Sequence, residues 1–317
     1  MRLPVNDSSH SPSTARRLYR LLWLSIAAAC ATIALKTSAW LLTGSVGLLS
    51  DAAESVVNLV AAVVALALLY IAFKPEDEEH TYGHAKAEYF SAGIEGALIL
   101  IAAITIAIAA ISRLLHPQPL TDVGIGLAVS AVASVINLAV GLLLLRAGRK
   151  HRSIILEADG KHLLTDVWTS VGVIVGVGLV AITGWDRLDP VVALVVAANI
   201  VFTGSVLLRR SFDGLMDRAL DQPALTEIDQ VLSLFRARGV EFHALRTRQA
   251  GQRAFVSTHV LVPGAWTVQQ GHDLAEEVEA ALREKLPYAT ILTHLEPAED
   301  PKSFDDTKLD RVFPPVK

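Results

Sequence analysis

Apolar residues fill six blocks of this chain, each long enough to cross a bilayer as a helix: Leu18–Leu42, Val46–Phe73, Tyr89–Leu115, Val123–Arg146, Lys161–Thr183 and Pro190–Leu208. A spanning helix needs about 20 mostly apolar residues. Helix is the form that satisfies every backbone group within one such segment. Basic residues at the block ends are one-sided. Arg16, Arg17, Arg20, Lys74, Lys86, Arg146, Arg149, Lys150, Arg152, Arg209 and Arg210 flank one side, against Arg113 and Arg187 on the other. The bias puts the first side, and both termini, in the cytoplasm.

The pattern changes near Asp213. "DQPALTEIDQVLSLFRARG" predicts a helix with Asp221 as its cap, Pro223 in its first turn and Gly239 at its stop. "VEFHALRTRQ" and "RAFVSTHVLVP" predict two strands around the turn "AGQ". "TVQQGHDLAEEVEAALREKLP" predicts a second amphipathic helix, and "ATILTHLEP" a last strand. The expected organisation is therefore an N-terminal tail over 1–17, a six-helix membrane domain over 18–212, a small α-β-β-α-β domain over 213–297, and a disordered polar tail over 298–317.

Composition narrows the class. The chain has 317 residues, 52% of them hydrophobic, and a mean hydropathy of +0.44, which point to a membrane protein. A net charge of −4 and the lack of a reading motif exclude a basic nucleic-acid binder. Cys30 is the single cysteine, so no intrachain disulfide forms. The first seventeen residues hold no apolar core of a cleavable signal.

The acids of the second and fifth blocks carry the chemistry. An ionised carboxylate at mid-membrane costs about 3 kcal/mol even on forgiving scales. Yet "SDAAESVVN" holds Asp51, Glu54 and Asn58, and "ADGKHLLTDVW" holds Asp159, His162 and Asp166. Both read Asp-x-x-polar-x-x-x-polar. Residues four apart share a helix face, so Glu54 pairs with Asn58 and His162 with Asp166. If the two helices pack side by side, four oxygen and nitrogen donors converge, the ligand set of a four-coordinate divalent metal. A dication would offset the buried charge. Interhelical hydrogen bonding is the plainer alternative for any single polar group. Asp51 and Asp159, a turn earlier, suit capping or support of the ligands.

Two further clusters lie outside the blocks. The loop "KPEDEEHTYGHAKAEY" brings Asp77, His80 and His84 close in sequence, as either a zinc site or a solvated loop. His243, His259 and His294 fall on the expected strands and His272 near a helix start, with Glu296 beside them. Four histidines and an acid in so short a stretch favour metal over surface histidines.

The paired motif, the loop "HTYGHAKAEYF", the stretch "GLMDRALD" and "HALRTRQAG" together resemble the cation diffusion facilitators, most closely their bacterial ferrous-iron and zinc efflux branch. The resemblance runs from about Leu18 to Pro297. It implies an α-helical membrane protein with six transmembrane helices and a C-terminal cytoplasmic ferredoxin-like, metallochaperone-like domain. It implies a homodimer in the bacterial inner membrane that exchanges a divalent metal (zinc, iron, manganese or cobalt) for protons, with no cofactor beyond the metal itself. The transport site would comprise Glu54, Asn58, His162 and Asp166. The loop site would comprise Asp77, His80 and His84, and a two-metal cytoplasmic site His243, His259, His272, His294 and Glu296. Lys86 and Asp217 would form a salt bridge at the dimer interface.

The branch usually carries carboxylates at both positions of the second-block pair; here Asn58 is neutral. Glu54 and Asp166 then balance a dication with −2 rather than −3, and an amide oxygen, a hard donor, moves preference from strict zinc towards manganese, iron or cobalt. Asn58 carries no proton, which leaves His162 as the expected carrier, helped by Glu54 or Asp166. Rival functions fit less well. An intramembrane metalloprotease needs H-E-x-x-H or a comparable pair, absent here. A passive channel or a sensor needs no titratable ligands repeated in two blocks.

Overall fold

The computed structural model describes residues 12–43, 46–116, 123–185 and 187–305. The chain divides into two compact units, Pro12–Leu215 and one that begins at Met216. The break falls a few residues after the expected Asp213.

Six long helices build the first unit: α1 (Pro12–Thr43), α2 (Val46–Ala72), α3 (Ala87–Leu115), α4 (Val123–His151), α5 (Ile154–Thr183) and α6 (Leu188–Leu215). Each covers one of the six apolar blocks. Among the described residues, four stretches are long and apolar enough to cross a membrane: Thr14–Ala39, Ala87–Leu115, Ala131–His151 and Pro190–Leu215. The other two helices, α2 and α5, carry the two matching polar motifs, and the described apolar part of α2 is the shorter Asn58–Ala72.

Helix α5 is the organising element. Leu18 and Leu22 of α1, Ala65 and Leu69 of α2, and Val140 and Leu144 of α4 close around its Ile155, Leu156 and Leu163. Tyr89, Ala92 and Ile99 of α3 and Ile200 and Leu207 of α6 close around its Ile154 and Ala158. One helix thus serves two hydrophobic clusters and is buried on nearly every side over its first two turns.

Two local devices hold α5 there. It begins at Ile154, earlier than the expected Lys161, and Ser153 makes no side-chain cap. The orphan N–H of Ile154 is instead taken by Glu88 Oε2 of α3 at 2.9 Å, which puts a carboxylate at the positive end of the helix dipole. Against α4, a Cβ built on Gly160 would lie 2.9 Å from the Gly141 carbonyl oxygen. Only glycine lets the two backbones cross so closely, the small-residue contact common between membrane helices.

The second unit runs α7 (Gln222–Arg236), β1 (Glu241–Ala250), β2 (Arg253–Val262), α8 (Val268–Lys285) and β3 (Ala289–Pro297). The α-β-β-α-β order is as expected. Asp221 caps α7 by accepting from Ala224 N, and Gly239 takes the left-handed φ of 86° at its stop. Thr267 and Gln270 form a capping box on α8. The sheet order is β1-β2-β3, with β1–β2 antiparallel and β2–β3 parallel. Both helices pack on one face: Ile228, Leu232, Val278 and Leu282 bury the even positions Ala254, Val256 and Val260 of β2. The odd positions are left for the other face, as a period of two dictates.

One expectation changes here. Residues 298–305 of the supposedly disordered tail are ordered. Ala298 N donates to Val262 O at 2.8 Å. A 3-10 helix, Pro301–Phe304, then begins on an Asp300 cap. Residues 306–317 lie outside the described residues.

Candidate metal centres

The echo between α2 and α5 is a spatial fact. Asn58 is buried on α2, His162 is buried on α5, and Asp166 is half-buried one turn later. The Asn58 amide joins them. Its Nδ2 donates to Asp166 Oδ2, and its Oδ1 lies 2.8 Å from His162 Nε2. Three of the four expected transport ligands therefore share one point. Asp51 and Glu54 also lie on α2, but their side chains are outside the described residues. Asp159 is buried in the second turn of α5, its Oδ2 without a hydrogen-bond partner among the described residues. It does not cap α5, since Glu88 fills that role.

Two participants were not foreseen. Glu95 of α3 is 1% exposed, and its Oε2 lies 3.7 Å from His162 Nδ1. Asn137 of α4 donates through Nδ2 to Asp166 Oδ2 at 3.3 Å. Acids within the spans are thus not confined to the second and fifth blocks. Glu95 has only Ser91, and no acid, histidine or amide, four residues away, so an i,i+4 search for ligand pairs passes over it; its being an acid inside an apolar block was the signal available. Asn137 is uncharged and carried none beyond polarity. Four helices, α2, α3, α4 and α5, therefore meet at the polar point.

The loop cluster forms as well. Asp77 Oδ1 accepts from the backbone N–H groups of Glu79 and His80 at 3.1 and 2.7 Å, an Asx-type turn. Its two oxygens then face the two imidazoles, His80 Nδ1 at 3.1 Å and His84 Nε2 at 3.2 Å. The His80 backbone N–H holds the Asp77 carboxyl below its ordinary value, which keeps it an ionised ligand. Asp77, His80 and His84 offer three donor atoms within 4.8 Å of one another, and the loop leaves further positions open to solvent.

Strand register builds the third cluster. His243 of β1 pairs with His259 of β2, and His259 pairs with His294 of β3. Three imidazoles thus stand in a row across the sheet, on the face away from the helices. Glu296 Oε2 lies 2.7 Å from His243 Nε2 and 3.1 Å from His259 Nδ1. His294 Nε2 approaches the other oxygen at 3.6 Å. His243, His259 and Glu296 meet the geometry of a shared ion. The Phe304 ring of the ordered tail stacks edge-on to His243 at 5.6 Å. His272 is exposed at the start of α8 and is not among the residues brought together.

Lys86 donates to the Leu215 carbonyl at 3.3 Å, and Asp217 receives Arg248 Nη1 at 3.1 Å.

Comparison with known proteins fits this arrangement. Residues 22–216 match the cation efflux transmembrane domain, and residues 220–298 match the cytoplasmic domain of cation efflux proteins. An uncharacterized transporter of Synechocystis sp., sll1263, is 50% identical over 302 residues, 95% of this chain and 96% of the relative. The cation-efflux pump FieF of Serratia proteamaculans is 32% identical over 287 residues, 90% of this chain and 95% of the pump. FieF of Klebsiella pneumoniae is 31% identical over the same shares. A transmembrane match and a cytoplasmic match in the right order, breaking where the two compact units break, settle the class: the chain belongs to the cation diffusion facilitator family, the divalent metal cation efflux transporters.

Proposed function

We propose that this transporter moves a divalent transition metal out of the cytoplasm in exchange for protons, through a site made by Glu54, Asn58, His162 and Asp166. The observation that carries the reading is the meeting of Asn58, His162 and Asp166 from α2 and α5 at a buried point. In the structure these groups hydrogen-bond to one another. A metal entering must displace those contacts and any proton on His162, because a ligating imidazole nitrogen is unprotonated. Metal release and proton uptake then compete for one group, which is the minimum needed for exchange. Asn58 supplies a neutral oxygen, and Asn137 and Asp159 support the ligands. Zinc, iron, manganese and cobalt all suit the set; the amide oxygen favours the harder members.

The other clusters have regulatory parts in this reading. His243, His259, His294 and Glu296, with His272, bind cytoplasmic metal, draw the cytoplasmic domains of a homodimer together and favour the transporting state. Asp77, His80 and His84 hold metal at the loop between α2 and α3. Lys86 and Asp217 tie the dimer. The protein sits in a bacterial inner membrane with both termini cytoplasmic, as the one-sided Lys and Arg suggest.

The test is pH-driven metal uptake into inverted vesicles. H162A is expected to abolish it. Unchanged uptake in H162A would remove the proposed site and the proposed exchange together.

A further inference from the structure

A buried carboxylate with nothing to bind is costly, and α3 contains one. Glu95 is fully enclosed, and neither carboxylate oxygen has a hydrogen-bond partner among the described residues. The atom it faces is His162 Nδ1, also buried and also without a partner. The two lie 3.7 Å apart, just beyond hydrogen-bond length. Asp159 and Asp166 are the other charges within reach of Glu95.

The opposite nitrogen explains the spacing. His162 Nε2 lies 2.8 Å from Asn58 Oδ1. With the Asn58 amide nitrogen turned to Asp166, that contact requires the imidazole N–H on Nε2. A neutral imidazole carries one N–H. In this pose Nδ1 is then bare, and a bare nitrogen has nothing to give a carboxylate. Ligation through Nε2 reverses this. The N–H moves to Nδ1, where it points at Glu95. Metal-bound histidines almost always donate their second N–H to a carboxylate or carbonyl, which fixes the ring and raises its basicity.

We propose that Glu95 is the positioning residue of the transport site: it accepts the Nδ1–H of His162 in the metal-loaded state and so selects the tautomer that offers Nε2 to the ion. It need not touch the metal. The contact closes by a few tenths of an ångström when the metal enters. Glu95 sits on α3, while Asn58 is on α2 and His162 on α5, so metal binding ties a third helix to the pair. This inference rests on His162 being a transport ligand.

Two measurements on the full chain test it. The first is metal transport by purified protein in liposomes, comparing wild type, E95A and E95Q. E95A should raise the KM for zinc about 10- to 100-fold, the usual cost of removing such a partner. E95Q should stay within severalfold of wild type, since its amide oxygen also accepts the Nδ1–H. An unchanged KM in E95A, or an E95Q as damaged as E95A, would each overturn the proposal.

The second needs no variant: 15N shifts of labelled histidine in the wild-type protein with and without zinc. Zinc on Nε2 with the proton on Nδ1 is expected; zinc on Nδ1 overturns the inference. If zinc leaves both nitrogens of His162 unchanged, the transport site itself falls, and this inference with it. If zinc takes Nε2 but E95A is silent, the inference alone falls.

Discussion

Asn58 spends one amide on two partners: its nitrogen holds Asp166 and its oxygen holds His162. A carboxylate there would keep the acceptor, lose the donor and set a second negative charge against Asp166. It would also add charge for a dication to meet. The gross gain for one added charge at 4 Å is about 4 kcal/mol at an effective dielectric of 20, and repulsion from Asp166 and desolvation offset much of it. N58D should therefore shift preference towards zinc by about tenfold, or about 1.4 kcal/mol. The check is a competition assay of zinc against manganese and iron; an unaltered preference would mean that Asn58 does not choose the metal. At this scale the sequence was legible where polar residues repeat at helical spacing. Asn58, His162 and Asp166 are found that way, as are Asp77, His80 and His84. Glu88 and Glu95 share α3 and Asn137 is on α4, helices that do not repeat the paired motif, so only packing reveals what they face. His272 stands apart from the strand histidines within one protomer: its type and neighbourhood suggested a ligand, and α8 packs on the opposite face of the sheet.

Elements fix these contacts by backbone approach as much as by side chains. Where α4 crosses α5, Gly160 and Gly141 sit face to face. G160L would push α5 away from Asn137 and α2. It should eliminate metal transport and lower the thermal midpoint of the purified protein, read by transport and by unfolding in detergent. An unaffected variant would show that the close crossing is dispensable. In the C-terminal unit, Leu282 of α8 is wholly buried against the sheet. L282A should cost about 2–5 kcal/mol, a loss of transfer energy plus a cavity, measured by urea unfolding of the unit from Met216 onward. The same unit offers a test of sign with pH. Hydrogen bonding and charge from Arg238 hold the Glu277 carboxyl below its ordinary value. The pair's contribution is thus present above that ordinary value and lost as pH falls through the depressed one. Wild type should exceed E277Q slightly near neutrality, with the gap closing as pH falls below the ordinary carboxylate range; a gap persisting in strong acid would exclude the pair as its source. Helix and strand order was readable because periodicity, caps and the turn at Gly251 all agree. The start of α5 was not, since the polar run from Glu157 to Lys161 hides that Ile154–Leu156 belong to the same helix, and its cap comes from α3.

The whole molecule holds a buried polar point in a six-helix unit and, in a separate unit with its own core, a row of histidines with Glu296. That separation lets the regulatory proposal be tested alone. Calorimetry on the C-terminal unit should give micromolar or tighter zinc binding, weakened by H243A or E296A, and no heat would count against a regulatory metal there. The fold class and the family were legible at this scale because six apolar blocks, a change in period near Asp213 and motifs in order point one way. The ordering of residues 298–305 was not: its polar, Pro-containing sequence hides the packing of Phe304 on His243. The claim that joins the two halves is exchange of metal for protons. Its most direct test records metal and proton movements together in liposomes holding the purified protein. The account predicts that a metal pulse drives protons the opposite way, that an imposed pH gradient alone drives metal uphill, and that H162A loses both. Metal that moves only down its own gradient, at a rate indifferent to pH and with no opposing proton, would contradict it.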